Sequence, residues 1–576
     1  MMILGIDLGT TNSLGVVYVD NKYMIIPNKH NELLTPSVIY FDEKNNSIVG
    51  KEAKDMQLIE PSAVACLFKR NMGKGKSIKI RNKEYLPEEL SALIVKQLID
   101  DAERFLNTSI DEVVISVPAY FNSYQRLATK KIGKILGIKV ERLINEPSAA
   151  ALACRSNNDE TFIVLDFGGG TLDISVVDSF DNILSICSIA GDNNLGGSDF
   201  DKILVDKFFK DNNITITESN KEYNSILLQC EQIKKQIKKN SDVTQIISYK
   251  EKQFGFSISY REFCQQSFKI FEKIRYNISI AMRESGFEKE DIDKLILVGG
   301  TCLMPIVQDY LLDLLNIPLE MKDYIDEIVV CGLGTYIGIM QREDMVKNLV
   351  LTDICPFSLN TNTFNHQQTN NPYTSTLIKK NSVLPISKSN TYYTLNLGQD
   401  KINFDVNQGE SIYANDNITL GQILVDVPIN NVEYEAVELT YSYDINSLLS
   451  IEAKVISTGS IHYYEMREKG IEEVLDLDEK VREIKDKTRF YESREKWEHL
   501  KRRFNYILAG LNDCDKEELC NKFNIYEEKF RNKTTNIHIN KSILIEFELM
   551  LDKYEEKYME SDIFNDSSLN KRGYLS

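Results

Sequence analysis

The sequence predicts a multidomain chain built from a duplicated α/β domain, an antiparallel β domain and a helical tail. Three observations point there. An apolar strand ending in Asp, Gly and Thr occurs at residues 4–11 and again at 164–171, each time followed by another apolar strand. From about residue 356 the pattern changes to short alternating segments, and from about 466 it becomes rich in Glu and Lys with apolar residues at helical spacing. The chain of 576 residues is also longer than a single core serves.

Residues 1–345 alternate short apolar runs with helical stretches, the pattern of an α/β domain. Buried strands are expected at 3–6, 113–117, 162–165 and 295–298, and helices at 87–106 and 223–239. In 356–464 Ile402, Phe404 and Val406 fall on one strand face, and Leu449, Ile451, Ala453 and Val455 repeat the pattern. Residues 465–576 read as a helical segment through Leu475, Val481 and Ile484, with a loose end at 565–576. Between the first two regions, 346–355 contains Asn348-Leu349-Val350-Leu351-Thr352-Asp353, which is too apolar for a solvated linker. It reads either as an edge strand or as a linker that docks on the first domain in one state and is released in another.

Composition narrows the function classes. The chain has 68 basic against 86 acidic residues and a net charge of −18, which opposes a dedicated nucleic-acid binder but leaves room for a local nucleotide pocket. The first residues read as a strand rather than a signal peptide, and no run is long and apolar enough for a membrane span. The ten cysteines form no C-x-x-C pair and the five histidines are dispersed. This fits a reducing cytoplasm and speaks against a zinc or histidine site.

The repeated motif carries the chemistry. Leu4-Gly5-Ile6-Asp7-Leu8-Gly9-Thr10-Thr11 is echoed by Val164-Leu165-Asp166-Phe167-Gly168-Gly169-Gly170-Thr171. Glycine lets backbone N–H groups approach phosphate oxygens, threonine adds a hydroxyl, and an Asp at each strand end can hold Mg²⁺ through its waters. Two such hairpins facing each other would clamp a nucleotide triphosphate. Further glycine loops follow at Gly191, Gly196 and Gly197, and at Gly299-Gly300-Thr301. The Walker-like Gly73-Lys74-Gly75-Lys76-Ser77 lacks its first glycine, because position 70 is Arg70, and reads as an exposed basic turn.

Gly5-Ile6-Asp7-Leu8-Gly9-Thr10-Thr11-Asn12-Ser13 resembles the opening signature of the heat shock protein 70 chaperones of DnaK type. Val117-Pro118-Ala119-Tyr120-Phe121, Ile144-Asn145-Glu146-Pro147-Ser148-Ala149-Ala150, residues 166–171 and Asn194-Leu195-Gly196-Gly197-Ser198-Asp199-Phe200-Asp201 match further motifs. The resemblance runs through residues 1–465. It implies an actin-like (ribonuclease H-like, duplicated) ATPase domain, a linker, an antiparallel β-sandwich that binds peptides and a short helical C-terminal lid. It further implies ATP or ADP with Mg²⁺ as cofactors and K⁺ as a further candidate ion. Unfolded clients, a J-domain co-chaperone and an exchange factor are the partners implied, with no nucleic acid or membrane.

Carried over by motif, Asp7, Gly9, Thr10, Thr11, Asn12, Gly168, Gly169, Gly170 and Thr171 surround the phosphates, with Asp7 and Asp166 toward magnesium. Lys69 matches the catalytic lysine, and Glu146, Asp166 and Asp173 match the acidic residues that position waters. Thr171 matches the threonine that senses the γ-phosphate. Gly196, Gly197, Glu231, Lys234, Lys235, Gly299, Gly300 and Thr301 complete the nucleotide set, where spacing alone reads Glu231 and Lys234 as a surface pair. Ile402 and Phe404 match the peptide pocket, although alternation says only that they share a face. Leu349, Val350, Leu351 and Asp353 match the docking linker, and Arg142 and Asn145 the J-domain contact. The chain departs at Leu303, where the family places an arginine, at Lys238, at Thr352 and in a shortened stretch between Lys69 and Pro118. The shortened stretch and a divergent tail look like the HscC-like side branch more than the housekeeping member. A metabolite kinase on the same scaffold and a nucleotide-gated scaffold without useful turnover are the other readings.

Overall fold

The computed structural model describes residues 2–474 apart from 157, 215–219, 251, 323, 366–367 and 468–469, and beyond them 513–532 with single positions between 497 and 554. Two compact units separate, Met1–Leu384 with Lys388–Leu475, and Pro385–Ser387 with Asp476–Ser576.

The first unit opens with a sheet of β1 (Ile3–Leu8), β2 (Asn12–Val19), β3 (Lys22–Ile26), β4 (Glu112–Val117) and β5 (Lys139–Asn145), in the order β5-β4-β1-β2-β3. A two-residue strand, Thr35–Pro36, joins it against β2. The strands β1, β4 and β5 run parallel and are buried almost throughout β1 and β4, which is why they read as unbroken apolar runs rather than as alternation. Four helices accompany this sheet: α1 (Lys51–Ile59), α2 (Pro87–Leu106), α3 (Ser123–Leu136) and α4 (Glu146–Cys154). Local chemistry sets their ends. Pro87 opens α2 at its first position and Asn107 closes it in a left-handed conformation. At the start of α3, Gln125 N donates to Asn122 Oδ1 and Asn122 N to Gln125 Oε1, both at 3.0 Å, and Gly137 (φ 68°) ends it.

A second sheet repeats the plan. Its strands β6 (Glu160–Phe167), β7 (Leu172–Phe180), β8 (Ile183–Asp192), β9 (Lys294–Val298) and β10 (Leu319–Met321) lie in the order β10-β9-β6-β7-β8, strand for strand the arrangement of the first. The sequence duplication is therefore a duplication of sheet topology. With it come α5 (Gly197–Asp211), α6 (Asn220–Gln236), α7 (Phe268–Ser285) and α8 (Pro305–Leu315), while α9 (Ile328–Gln341) packs back on β1, β2 and β3 of the first sheet. Helices α4 and α9 approach so closely that a Cβ on Gly332 would stand 1.7 Å from the Ala149 carbonyl oxygen.

The linker adds a sixth strand to the second sheet. β11 (Val350–Thr352) pairs parallel to β8, with Ile183 opposite Val350 and Ser185 opposite Thr352. Of the two sequence alternatives, the edge strand is the arrangement seen here. Leu349 is buried and Val350 exposed.

Beyond it, two antiparallel sheets follow. One holds β12 (Leu359–Asn365), β13 (Gln368–Ile378), β15 (Lys401–Gln408) and β16 (Ile418–Asp426); the other holds β14 (Ile386–Tyr393), β17 (Ala436–Tyr443), β18 (Leu449–Val455), β19 (Ile461–Arg467) and β20 (Gly470–Val474). β15 alternates as expected, with Ile402, Phe404 and Val406 turned inward. The expected helical start at 465 is corrected, because β19 and β20 pair as a hairpin through 474. Tyr464 and Met466 are buried at strand period, which overrides the Glu- and Lys-rich composition. Leu475, Val481, Ile484 and 565–576 lie outside the described residues.

This β region meets α3, β5, the loop before α3 and α7. The Ser123 N–H donates to Gln408 Oε1 at 3.3 Å, Tyr124 OH to the Leu420 carbonyl at 3.0 Å and the Leu143 N–H to Asn446 Oδ1 at 2.9 Å. The rings of Tyr120 and Phe357 are 4.5 Å apart, and Lys380 pairs with Glu284 of α7 at 2.7 Å.

The second unit contains α10 (Asp513–Asn532) and an aromatic-rich cluster that buries Trp497, Leu500, Phe504, Leu519, Phe547 and Leu551. Among the described residues no helix is long and apolar enough to cross a membrane.

Candidate nucleotide site

The two hairpin loops converge on a cavity of about 530 Å³. β1 brings Asp7 to its wall, the β1–β2 loop brings Gly9, Thr10, Thr11 and Asn12, and the β6–β7 loop brings Gly168, Gly169 and Thr171. Beside them lie Gly197 at the start of α5 and Gly299, Gly300 and Thr301 after β9. Gly170 and Gly196 are not on the wall but beneath it. A Cβ on Gly196 would sit 2.3 Å from the Gly170 nitrogen, so both glycines serve loop-on-loop contact. The loop carbonyls are engaged by protein donors. Gly168 O accepts from Thr301 Oγ1 at 2.8 Å and from Gly197 N at 3.0 Å, Gly169 O from Ser198 Oγ at 3.0 Å, and Gly9 O from Ser37 Oγ at 2.8 Å. Loops held this way can present N–H groups to an anion.

Lys69, whose Lys-Arg neighbourhood would suit a solvated surface, is buried. Its Nζ donates to Glu146 Oε1 at 2.8 Å and stands 5.6 Å from the Phe121 ring centre. Glu146 is the first residue of α4, and Asp166 ends β6 next to Val298 of β9. Asp173 lies directly across the hairpin from Asp166 and accepts from the Tyr120 N–H at 3.3 Å, behind the cavity wall rather than on it. Burial, reinforced by Glu146, pushes Asp7 up to about 6 against the bond it accepts from Ser116 Oγ. Burial with Glu146 raises Asp173 to about 7, and burial with Glu146 and Asp173 raises Asp166 well above the carboxylate range. Crowded acids around one ammonium call for another cation.

The donor set fits magnesium, since Asp7, Glu146 and Asp166 all bring carboxylates to the same cavity wall. Among the described residues no three acidic, histidine or cysteine side chains come close enough to ligate one ion directly. A reluctantly dehydrating ion held through its waters suits that spacing.

At the far end Glu231, Lys234 and Lys235 of α6 all face the cavity. The expected Glu231–Lys234 pairing is corrected. Glu231 accepts from Lys235 Nζ at 2.7 Å, while Lys234 Nζ binds Asp201 and the Gly197 carbonyl at 2.7 and 3.0 Å, which anchors the start of α5. Leu303 lines the mouth and is 51% exposed; Lys238 is exposed and off the wall. Lys54 and Gln57 of α1, with Asp326, also line the cavity. Sequence reasoning missed these three because no glycine loop or motif marks them.

Of the residues expected to couple the domains, Asn145 and Asp353 meet. Asn145 Nδ2 donates to Asp353 Oδ2 at 2.7 Å, Ser148 Oγ donates to the same oxygen at 3.0 Å, and Asn145 Oδ1 accepts from the buried Arg126 at 2.7 Å. Arg126, also missed, donates further to the Ala119 and Phe121 carbonyls. Arg142 sits on β5, where its charge faces Tyr336 of α9. Ile402 and Phe404 are 7% and 2% exposed, and the Phe404 ring meets Tyr392 edge-on. Core packing, the alternative left open by the alternation, is the arrangement of both. The Gly73–Ser77 turn is exposed from Lys74 to Ser77 and away from the cavity.

A protein-family model described as Hsp70 protein matches residues 3–81 and 74–543.

Proposed function

Because the chain belongs to the Hsp70 family, whose members are ATPases and ATP-dependent chaperones, we propose that it couples ATP hydrolysis to the binding of extended apolar segments of unfolded proteins. The observation that carries this reading is the join at the start of α4, where Glu146 holds Lys69 and its neighbour Asn145 holds Asp353 of the linker.

In this reading the loops around Gly9–Thr11 and Gly168–Thr171 cradle the phosphates. When bound, Mg²⁺ neutralises phosphate charge, and Asp7 and Asp166 would hold its waters. Lys69 stabilises charge on the γ-phosphoryl group as it leaves, and Glu146 keeps the ammonium aimed. Thr171 contacts the same group from the other lobe. Glu231 and Lys235 take the ribose, and Leu303 gives the base an apolar neighbour.

The β-sandwich is the proposed peptide domain. The inward position of Ile402 and Phe404 means that the pocket they would line has to open around them. ATP favours the docked linker and fast peptide exchange, and hydrolysis releases it. Arg142 and Asn145 form the proposed contact for a J-domain co-chaperone, with an exchange factor as a further partner and the cytoplasm as the place of action.

The test is single-turnover ATP hydrolysis with and without an unfolded apolar peptide. We expect peptide to accelerate hydrolysis and Lys69→Met to reduce it by about a hundredfold or more. Hydrolysis indifferent to peptide would leave a nucleotide-gated scaffold with a dedicated partner.

A further inference from the structure

Behind the phosphate end of the cavity lies a second, smaller one. Thr10, Lys69 and Thr171 line both, so the two share a wall at the place a γ-phosphate would occupy. The far side of the smaller cavity is made by Arg70, Phe121, Gln125 and Asn193, and it has no room for a water molecule. We propose that this is the closed exit for inorganic phosphate, and that the docked β-sandwich holds it shut. The proposal rests on the ATPase reading above.

Two unsatisfied groups define the chemistry of the passage. Arg70 reaches from the first lobe to the second, where its Nη2 donates to Asp199 Oδ2 at 3.3 Å and to the Gly169 carbonyl at 3.4 Å, both long for charged bonds. Its Nε is buried and has no hydrogen-bond partner among the described residues. Asn193 donates through Nδ2 to the Tyr120 carbonyl at 2.8 Å, which orients the amide and leaves its buried Oδ1 without a donor. A phosphate oxygen satisfies the first group. Free phosphate keeps at least one O–H near neutral pH, and that proton satisfies the second. An ionised phosphoryl group still joined to a nucleotide has no such proton, so the pair favours product over reactant.

The walls are tied to the sandwich. Phe121 and Gln125 border the passage, and between them Ser123 and Tyr124 bind Gln408 and the Leu420 carbonyl. Asn193 hangs from Tyr120, whose ring packs on Phe357 and lies 5.7 Å from the Lys380 ammonium. On the far side, Phe121, Gln125 and Asn193 are thus each one bond or one peptide step from a residue that contacts the β-sandwich. Arg70 is the latch across the lobes, and the 120–125 segment is the door frame that docking stiffens. Undocking loosens the frame, the latch yields, and phosphate leaves.

The test follows bond cleavage and phosphate release separately in the full chain during a single turnover, by quenched-flow assay of ADP and by a fluorescent phosphate-binding sensor. In the unmodified chain free phosphate should appear after ADP. Tyr124→Phe removes one hydroxyl from the docking contact and should shorten that lag about threefold or more, since one hydrogen bond is at stake. Arg70→Ala should shorten it at least as much, and ADP formation in Tyr124→Phe should stay within about twofold of the unmodified chain. Release that keeps pace with cleavage in the unmodified chain overturns the proposal, as does an unchanged lag in Tyr124→Phe, which decides alone if Arg70→Ala does not fold. Absence of ADP formation in the unmodified chain defeats the ATPase reading itself.

Discussion

Asn145 stands where a helix N-cap side chain would accept from the first turn, yet it makes no such bond. Its amide faces the linker instead, donating to Asp353 and accepting from Arg126. Asparagine suits this place because its amide offers a donor and an acceptor on two separate atoms of a short stem. Asn145→Asp keeps the acceptor for Arg126 and turns the donor into a second carboxylate against Asp353. The repulsion, with the lost bond, should weaken linker docking by about 1–3 kcal/mol. Peptide stimulation of hydrolysis should fall accordingly by about tenfold or more, while the double variant Asn145→Asp/Asp353→Asn, which restores a donor–acceptor pair, should recover it. Failure of the double variant to recover would remove Asn145 from the coupling.

At the scale of elements, α4 and α9 come into direct backbone contact. Gly332 allows the helix backbones to touch, and the atom it meets is a carbonyl oxygen that cannot rotate aside. Gly332→Ala should therefore cost about 1–3 kcal/mol or more through overpacking and lower the melting temperature of the first unit in calorimetry; an unchanged transition would mean the helices are free to separate. Legibility in the sequence followed locality. Strands β1, β4, β6 and β9 were readable because burial on both faces writes an unbroken apolar run, and α2 because Pro87 and Asn107 bracket it. The loops with Asp7 and Asp166 were readable because phosphate chemistry needs glycine and threonine in one short stretch. Lys54, Gln57, Asp326 and Arg126 were not, since each reaches its place from an element whose own pattern states only a helix or a loop. The switch of Lys234 from Glu231 to Asp201 was invisible for the same reason, because the competing partner lies on another helix. β19 and β20 were hidden by their charged residues, which mimic a solvated helix when the pairing strand is unseen.

At the scale of the molecule, the linker completes the second sheet at an edge whose counterpart in the first sheet, beyond β3, carries no such strand. That asymmetry breaks the duplication and gives the chain a place where docking can be made or lost without touching either core. The strand is only three residues long, and the β-sandwich contacts beside it are mostly single hydrogen bonds and one aromatic pair. Such a contact is of the kind that a bound nucleotide can tip. Hydrogen exchange read at residues 349–353 tests this directly. With ATP held by the Lys69→Met variant, the Val350 N–H, which donates to the Asn182 carbonyl at 2.9 Å, should exchange slowly together with its neighbours. With ADP the same amides should exchange about tenfold faster or more, as expected for a short edge strand that opens locally, while β6 and β9 stay protected. Equal exchange in the two nucleotides would mean that the linker strand is a fixed part of the second sheet, and that any signal to the β-sandwich passes through its direct contacts at Tyr120, Ser123, Tyr124, Leu143 and Glu284.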